Sequence, residues 1–211
     1  MSSGDWLSYD VVTASDTIND FYGTFPPGTY YGAWSVAAED RINFNITSVH
    51  DGVINGTLFF GNELDNVTFF DVRNMDTAFG LGLGIYPWNG GFLANSTDWD
   101  DIILSVVGTN TTVTQIESYD HTIAQKQNAY SVIHFNTSNY YGQYSSFYYH
   151  KSSGVLLKAL TSFGLYELEI SLNVTNLELD TYTETVSARL SIVLFSIILL
   201  PALSLLKRKR K

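Results

Sequence analysis

The chain has no cysteine and few basic residues, and each scarcity excludes some kinds of site or partner. Without a thiol among its 211 residues it has no disulfides, thiolate metal sites or cysteine nucleophile. Residues 1–186 hold all 21 Asp and Glu but only five Lys or Arg, a formal charge of −16. Nucleic-acid binding needs a positive field that neutralises phosphates, so nucleic acid is not an expected partner.

Long apolar runs are also scarce, and the clearest one is near the C-terminus. Leu190 to Leu206 contains no charged residue, and the basic residues 207–211 follow it. A helix of about 17–19 residues spans roughly 26–29 Å, about one hydrocarbon core, and such a helix tolerates Pro201. Basic residues flank membrane helices on the cytoplasmic side. We therefore predict a β-rich ectodomain (1–176), a stalk (177–187), a transmembrane helix (188–206) and a basic cytoplasmic tail (207–211), in a single-pass cell-membrane protein.

The first ten residues, MSSGDWLSYD, have neither the basic nor the apolar stretch of a signal peptide. A fragment, a processed chain, a misassigned start and a tail-anchored protein with a cytoplasmic body are all compatible with this. The distribution of Asn-X-Ser/Thr sequons favours a body outside the cell.

Seven such sequons occur, roughly twice the number expected by chance for this composition. Glycans attach to exposed asparagines of translocated chains. Enrichment of Asn and Thr in turns and on exposed strand faces is the alternative explanation. The predicted glycosylation sites are Asn45, Asn55, Asn66, Asn95, Asn110, Asn136 and Asn173.

Alternation of apolar and polar residues predicts strands along most of the body. Leu165 to Thr175 alternates over eleven residues, and Ile42 to Phe60 reads as a hairpin around Asp51-Gly52. Residues 16–40 carry several Gly and Pro and are predicted to be loop. The predicted fold class is all-β: an antiparallel half-barrel, barrel or sandwich of about 8–10 strands, with almost no helix besides the membrane helix.

Some stretches resemble a loose group of archaeal cell-surface proteins. They are Gly4-Asp5-Trp6 with Tyr9, the hairpin 46–57, residues 148–158, and the C-terminal run with its basic tail. The hairpin around Gly154-Val155-Leu156-Leu157 is also similar to one in lipoprotein-carrier-like half-barrels. That resemblance implies a concave apolar face able to hold lipid, although this chain has no lipidated cysteine.

An acidic cluster, Asp98, Asp100 and Asp101, is the best candidate for a metal site. Hard cations such as Ca²⁺ prefer several oxygen ligands, and closely spaced carboxylates supply them. The spacing lacks the DxDxDG order of a calcium loop, so a solvated acidic turn is the alternative. No other cofactor is expected.

Signals for catalysis are weak. The four histidines lack metal-site spacing and are predicted to lie on the surface or at sheet edges, and no G-x-S-x-G motif occurs. The aromatic stretch 140–150 suggests a sugar-stacking or protein-contact surface. Alternation places Tyr144 and Tyr148 on one face of a strand, with Phe147 and Tyr149 on the other, so one of the two sets is expected to belong to the core.

Together these patterns predict a non-enzymatic, membrane-anchored and N-glycosylated surface protein with a structural, adhesion or envelope role. Its expected partners are membrane lipid and other surface proteins or glycans. A lipid- or amphiphile-binding half-barrel is the first alternative. A glycan-active enzyme, which would need two facing carboxylates, is the second.

Overall fold

A computed structural model describes residues 1–14, 20–25, 29–35, 37–50, 53–60, 67–72, 92–108, 110–138 and 142–183. Within these ranges the chain is almost entirely antiparallel β-structure, with eleven strands and one short helix. The prediction of an all-β body is therefore confirmed, and the strand number slightly exceeds the expected eight to ten.

The elements follow one another along the chain in this order. They are β1 (Trp6–Ala14), β2 (Asp20–Phe25), β3 (Thr29–Ser35), β4 (Arg41–His50), β5 (Val53–Phe60), β6 (Val67–Val72), α1 (Trp99–Ser105), β7 (Thr111–Ile123), β8 (Lys126–Ser138), β9 (Tyr144–His150), β10 (Leu156–Phe163) and β11 (Tyr166–Thr175).

Nine strands form one open sheet in the order β6-β5-β4-β1-β11-β10-β9-β8-β7, and β2 and β3 form a separate hairpin. Most neighbours in the sheet are also neighbours in sequence. The exceptions lie at the centre, where β1 pairs with β4 on one side and with β11 on the other. The first strand thus joins an N-terminal set of three strands to a C-terminal set of five.

The alternation of side chains gives the sheet a core face and a polar face. On β11, Leu168, Ile170 and Leu172 are buried, whereas the residues between them are half-buried. The core face runs across paired strands through Ile170, Ala159, Phe147 and Phe135. Burial of these apolar side chains, at roughly 25 cal/mol per Å², is the main stabilising term of the fold.

The five C-terminal strands curl until β7 approaches β11. The register of β7 against β8 shifts between Ile116 and Tyr119, and such irregularities bend a strand. Beyond the shift, Nε2 of His121 lies 2.9 Å from the carbonyl oxygen of Leu172. At the tip of the β7–β8 hairpin, the amide of Ala124 donates to the carbonyl of Asn173 over 2.6 Å. The curl thereby brings the hairpin tip onto the strand four places away.

Residues 92–106, which we call the cover segment, lie on the core face. The ring of Phe92 packs between Tyr9 and Phe44, with centroid distances of 5.0 and 5.9 Å. The indole of Trp99 lies 6.1 Å from the ring of Tyr149, and its Nε1 donates to the carbonyl of Lys151. These contacts close the apolar side of the sheet.

Close approach to the cover segment requires a glycine at position 154. Gly154 has φ +72°, and a Cβ there would lie 1.8 Å from the carbonyl oxygen of Ala94. The two backbones are also joined, because the amide of Ala94 donates to the carbonyl of Gly154. The predicted GVLL hairpin therefore holds the cover segment against the sheet.

The prediction of a loop over residues 16–40 was wrong. Residues 16–40 contain the hairpin β2–β3, and its residues Gly23 and Gly32 lie inside strands, with a register shift beside Gly23. The apolar residues after Asp101 continue α1, a short helix that the sequence did not indicate, because Ile102 and Val106 reach the core on one helical face.

The predicted stalk begins as packed structure. Leu177 and Leu179 are half-buried against the core, and the amide of Tyr182 donates to the carbonyl of Ala129. No helix in the described ranges is long and apolar enough to cross a membrane. The predicted membrane helix and tail, like residues 184–187, lie outside the described residues.

Candidate functional site

The polar face of the sheet carries several of the predicted glycosylation sites. Asn45 lies on β4 with its side chain exposed, as its place between the buried Phe44 and Ile46 predicts. Asn173 lies on β11 and is half-buried. Its Nδ2 donates a 2.6 Å hydrogen bond to Asp10, whose other oxygen is 3.4 Å from Nε of Arg41. Asn45 is therefore the more accessible acceptor of the two.

Two further sequons meet across the β7–β8 hairpin. Asn110 is exposed at the start of β7, and Asn136 is half-buried within β8. Nδ2 of Asn110 donates to Oγ of Ser138 over 2.8 Å, and Nδ2 of Asn136 donates to the hydroxyl of Tyr144 over 3.2 Å. The sequence identified both asparagines but gave no sign that they lie next to each other.

The remaining sequons are less informative. Asn95 is half-buried in a turn, where its Oδ1 accepts hydrogen bonds from the amide and the hydroxyl of Thr97. Asn55 lies on β5, opposite Ser48 of β4. Asn66 lies outside the described residues.

The acidic cluster occupies the start of α1. Asp98 is the N-cap residue, and Asp100 and Asp101 are exposed in the first turn, where carboxylates interact favourably with the helix dipole. In the described part of the chain, no group of three or more His, Asp or Glu side chains is placed to hold a metal ion. The position of these carboxylates at the N-terminal end of α1 explains their presence without a bound metal. A cation site there stays a prediction.

Two histidines are buried. His150, on the interior strand β9, contradicts the expectation that all four lie at the surface or at edges, whereas His121 lies on the edge strand β7. His150 is 2% exposed and His121 is 7% exposed. Nε2 of His150 donates to the carbonyl of Asp180 over 2.9 Å, and its Nδ1 accepts from Oγ of Ser153 over 2.7 Å. Burial lowers the pKa of both imidazoles, so both are held in the neutral form. Their hydrogen bonds join separate elements: His121 connects β7 to β11, and His150 connects β9 to the segment after β11.

The aromatic stretch divides between the two faces as predicted. Phe147 and Tyr149 are buried in the core, whereas Tyr148 is half-buried and Tyr144 is exposed. The ring of Tyr148 stacks on His134 and on Tyr119, at centroid distances of 4.1 and 4.6 Å. Burial is the main cause that raises the pKa of Tyr119 to about 12.

Two adjoining cavities flank the turn that follows β9. The larger, of about 540 Å³, is lined by apolar residues such as Val49 and Leu93 together with Asn95 and Glu178. The smaller, of about 470 Å³, is lined by Trp99 and His150 among others. Ser96, Ser152 and Asp180 line both. The mixed lining defines no single ligand chemistry.

The fold defines a class, a mostly antiparallel β protein with an open sheet and a short covering helix in its described part. No known family model matches the sequence, and no similar curated protein or solved structure was found.

Proposed function

We propose that this chain is a membrane-anchored, N-glycosylated cell-surface protein whose β-rich body lies outside the cell. Its role is structural, adhesive or part of the envelope, with other surface proteins or glycans as partners. The resemblance to archaeal surface proteins supports the same assignment.

The structural observation that carries the proposal is the exposure of the sequons. Five sequon asparagines have described side chains, and none of them is buried: Asn45, Asn95, Asn110, Asn136 and Asn173. A translocated acceptor must reach solvent. Asn45 and Asn110 are exposed, and Asn95, Asn136 and Asn173 are half-buried. The charge division along the chain, with −16 before residue 187 and a basic C-terminus, supports the same orientation.

The alternative of an amphiphile-binding half-barrel is less well supported. Such a module needs an open apolar cavity, but the cover segment fills the core face with Phe92, Leu93 and Trp99. The 540 Å³ cavity is the place where an amphiphile would have to bind. A glycan-active enzyme stays a prediction, for which Glu178 and Asp180 beside that cavity are the first carboxylates to test.

Charges placed in the apolar run test the anchor. Each arginine at the centre of a membrane helix costs about 2.5–3.5 kcal/mol on the insertion scale. We expect the double variant Leu194→Arg with Ile198→Arg to leave the membrane fraction, and the matched variant with valine at both positions to stay in it. In intact cells, added protease should cleave the body of the unmodified protein. Recovery of the unmodified protein in the soluble fraction, or a body that protease reaches only after lysis, would contradict the proposal.

A further inference from the structure

The two sequons on the β7–β8 hairpin lie opposite each other, and their chains run in opposite directions. Thr112 pairs with Asn136 and Thr111 with Thr137, while the amide of Ser138 donates to the carbonyl of Asn110 over 3.1 Å. Each asparagine therefore lies opposite the hydroxyl residue of the other sequon. The hydrogen bond from Nδ2 of Asn110 to Oγ of Ser138 joins the acceptor of one sequon to the hydroxyl of the other.

The two acceptors are nevertheless unequal. Asn110 precedes an edge strand and is exposed. Asn136 lies in an interior strand, paired with Thr112 of β7 on one side and with Ser146 of β9 on the other. It is half-buried, and its Nδ2 is bonded to Tyr144. In the folded protein a transferase can approach Asn110 far more easily than Asn136.

The chemistry of transfer requires an accessible sequon. Nδ2 of the asparagine attacks the anomeric carbon of a lipid-linked sugar donor, the lipid phosphate leaves, and Nδ2 loses one proton. The transferase recognises the asparagine together with the hydroxyl two residues later in the same segment. In the paired strands, the backbone of Asn136–Ser138 is held on β8, and Oγ of Ser138 is engaged by Asn110.

The order in which the chain is synthesised also favours modification of Asn110 over Asn136. Asn110 precedes Asn136 by 26 residues, a lead of roughly 1–5 s at about 5–20 residues per second. Hairpins form in about 1–10 μs, so strand pairing is fast compared with chain emergence. A lone hairpin is only marginally stable, and β9 adds the third strand soon after β8. Asn136 is therefore unpaired for a shorter time than Asn110.

We infer that the pair works as a folding-gated acceptor: Asn110 receives a glycan, and pairing with β7 and β9 protects Asn136 from modification. The inference rests on the proposed function, because it presupposes that the body meets the glycosylation machinery.

The test is site-resolved glycopeptide mass spectrometry on the full-length protein from its native membrane. Lys126 lies between the two sites, so trypsin separates them into different peptides. We expect high occupancy at Asn110 and at least fivefold lower occupancy at Asn136. Equal and high occupancy at both sites would overturn the inference, whereas no sugar at any sequon would overturn the proposed function and this inference with it.

Two proline substitutions isolate the effect of pairing. Because Ser138 and Asn110 are hydrogen-bonded, alternation along an antiparallel ladder makes Thr114 and His134 a bonded pair and turns the amide of Gln115 away from β8. We expect Thr114→Pro to raise occupancy at Asn136 severalfold. The matched variant Gln115→Pro should leave it low, since edge strands tolerate proline where the amide faces solvent. Occupancy at Asn173 should stay constant in both, and an Asn136 occupancy that responds equally to the two prolines contradicts gating by pairing.

A third variant leaves the pairing intact. Thr112→Val removes the hydroxyl of the first sequon at an exposed position of β7 and keeps a residue that favours strands. We expect Asn110 to lose its glycan and Asn136 to remain unmodified. A compensating rise at Asn136 would show competition for the transferase in place of protection by folding, and would overturn the inference.

Discussion

The two faces of the nine-stranded sheet differ in burial and in the kind of contact that their side chains make. On the core face, large side chains such as Tyr9, Phe135 and Tyr149 are fully buried and meet the cover segment. On the polar face, Asn45 is exposed, and half-buried polar groups such as Asn173 with Asp10 and Lys158 with Glu169 bond to one another across strands. The comparison teaches that packing on one face fixes the fold, which leaves the other face free to carry modifications. The predictions below break or sharpen this difference, beginning with the largest effect.

The largest expected loss of stability comes from a large-to-small substitution on the core face. Phe135→Ala leaves a cavity beside Trp99 and Tyr149, and we expect a loss of about 3–5 kcal/mol in the free energy of unfolding. Thr114→Ala, at an exposed position on the neighbouring strand, should change it by less than about 0.5 kcal/mol. Chemical unfolding of the detergent-solubilised protein measures both. Similar losses for the two variants would show that the faces do not differ as described.

The contact of Gly154 with the cover segment is the next target. Gly154→Ala adds a methyl group that collides with the carbonyl of Ala94 and also strains a positive φ, for a loss of about 2–3 kcal/mol. Gly164 is the matched control, because it has φ +61° but no atom within 4 Å of its Cβ position. Gly164→Ala should cost only the backbone strain, about 1 kcal/mol. Equal losses in thermal unfolding would mean that the cover segment is not held at Gly154.

The buried histidines predict a dependence of stability on pH. Burial lowers the folded-state pKa of His121 and His150 below the unfolded value of about 6.5. The unfolded chain therefore binds more protons below pH 6.5. The contribution of these two histidines to the free energy of unfolding is fully present above that pH. It is lost as pH falls, by up to about 1.4 kcal/mol per pH unit for each histidine.

Unfolding titrations between pH 7.5 and roughly 5 would measure this loss. His121→Asn and His150→Gln should each reduce the slope in the region just below pH 6.5. A slope unchanged in the double variant would show that other groups cause the dependence.

The smallest expected effect concerns the tip of the β7–β8 hairpin. Ala124 and Gln125 have φ values of 50° and 65°, the conformation of a two-residue turn that favours Asn-Gly. Replacing both residues by Asn-Gly relieves this strain, and we expect a gain of about 1 kcal/mol. An increase in the unfolding midpoint measures it, and a decrease would mean that the side chains of Ala124 or Gln125 make contacts that outweigh the strain.

Regular alternation made several strands predictable from sequence. On β11 the burial alternates residue by residue from Glu167 to Leu172, and the pairing of His50 with Val53 confirms the β4–β5 hairpin. Its two turn residues, Asp51 and Gly52, lie outside the described residues. Local period and turn chemistry sufficed in both cases.

Other features depend on contacts that no local pattern reveals. The turn at Ala124-Gln125 lacks the glycine or asparagine that signals a tight hairpin. The pairing of β1 with β11 joins residues about 160 positions apart. The seven residues of α1 are too few to show a helical period. Likewise, the sequence named Asn110 and Asn136 as sites, but only the register of β7 and β8 places them together.

The central claim is that the polar face is turned to the outside of the cell and carries sugars. Its most direct test is the mass of the peptide that contains Asn45, the exposed sequon on an interior strand, taken from protein extracted from native membranes. The account predicts that this asparagine carries a glycan. A fully unmodified Asn45 in membrane-extracted protein, together with unmodified Asn110, would contradict it.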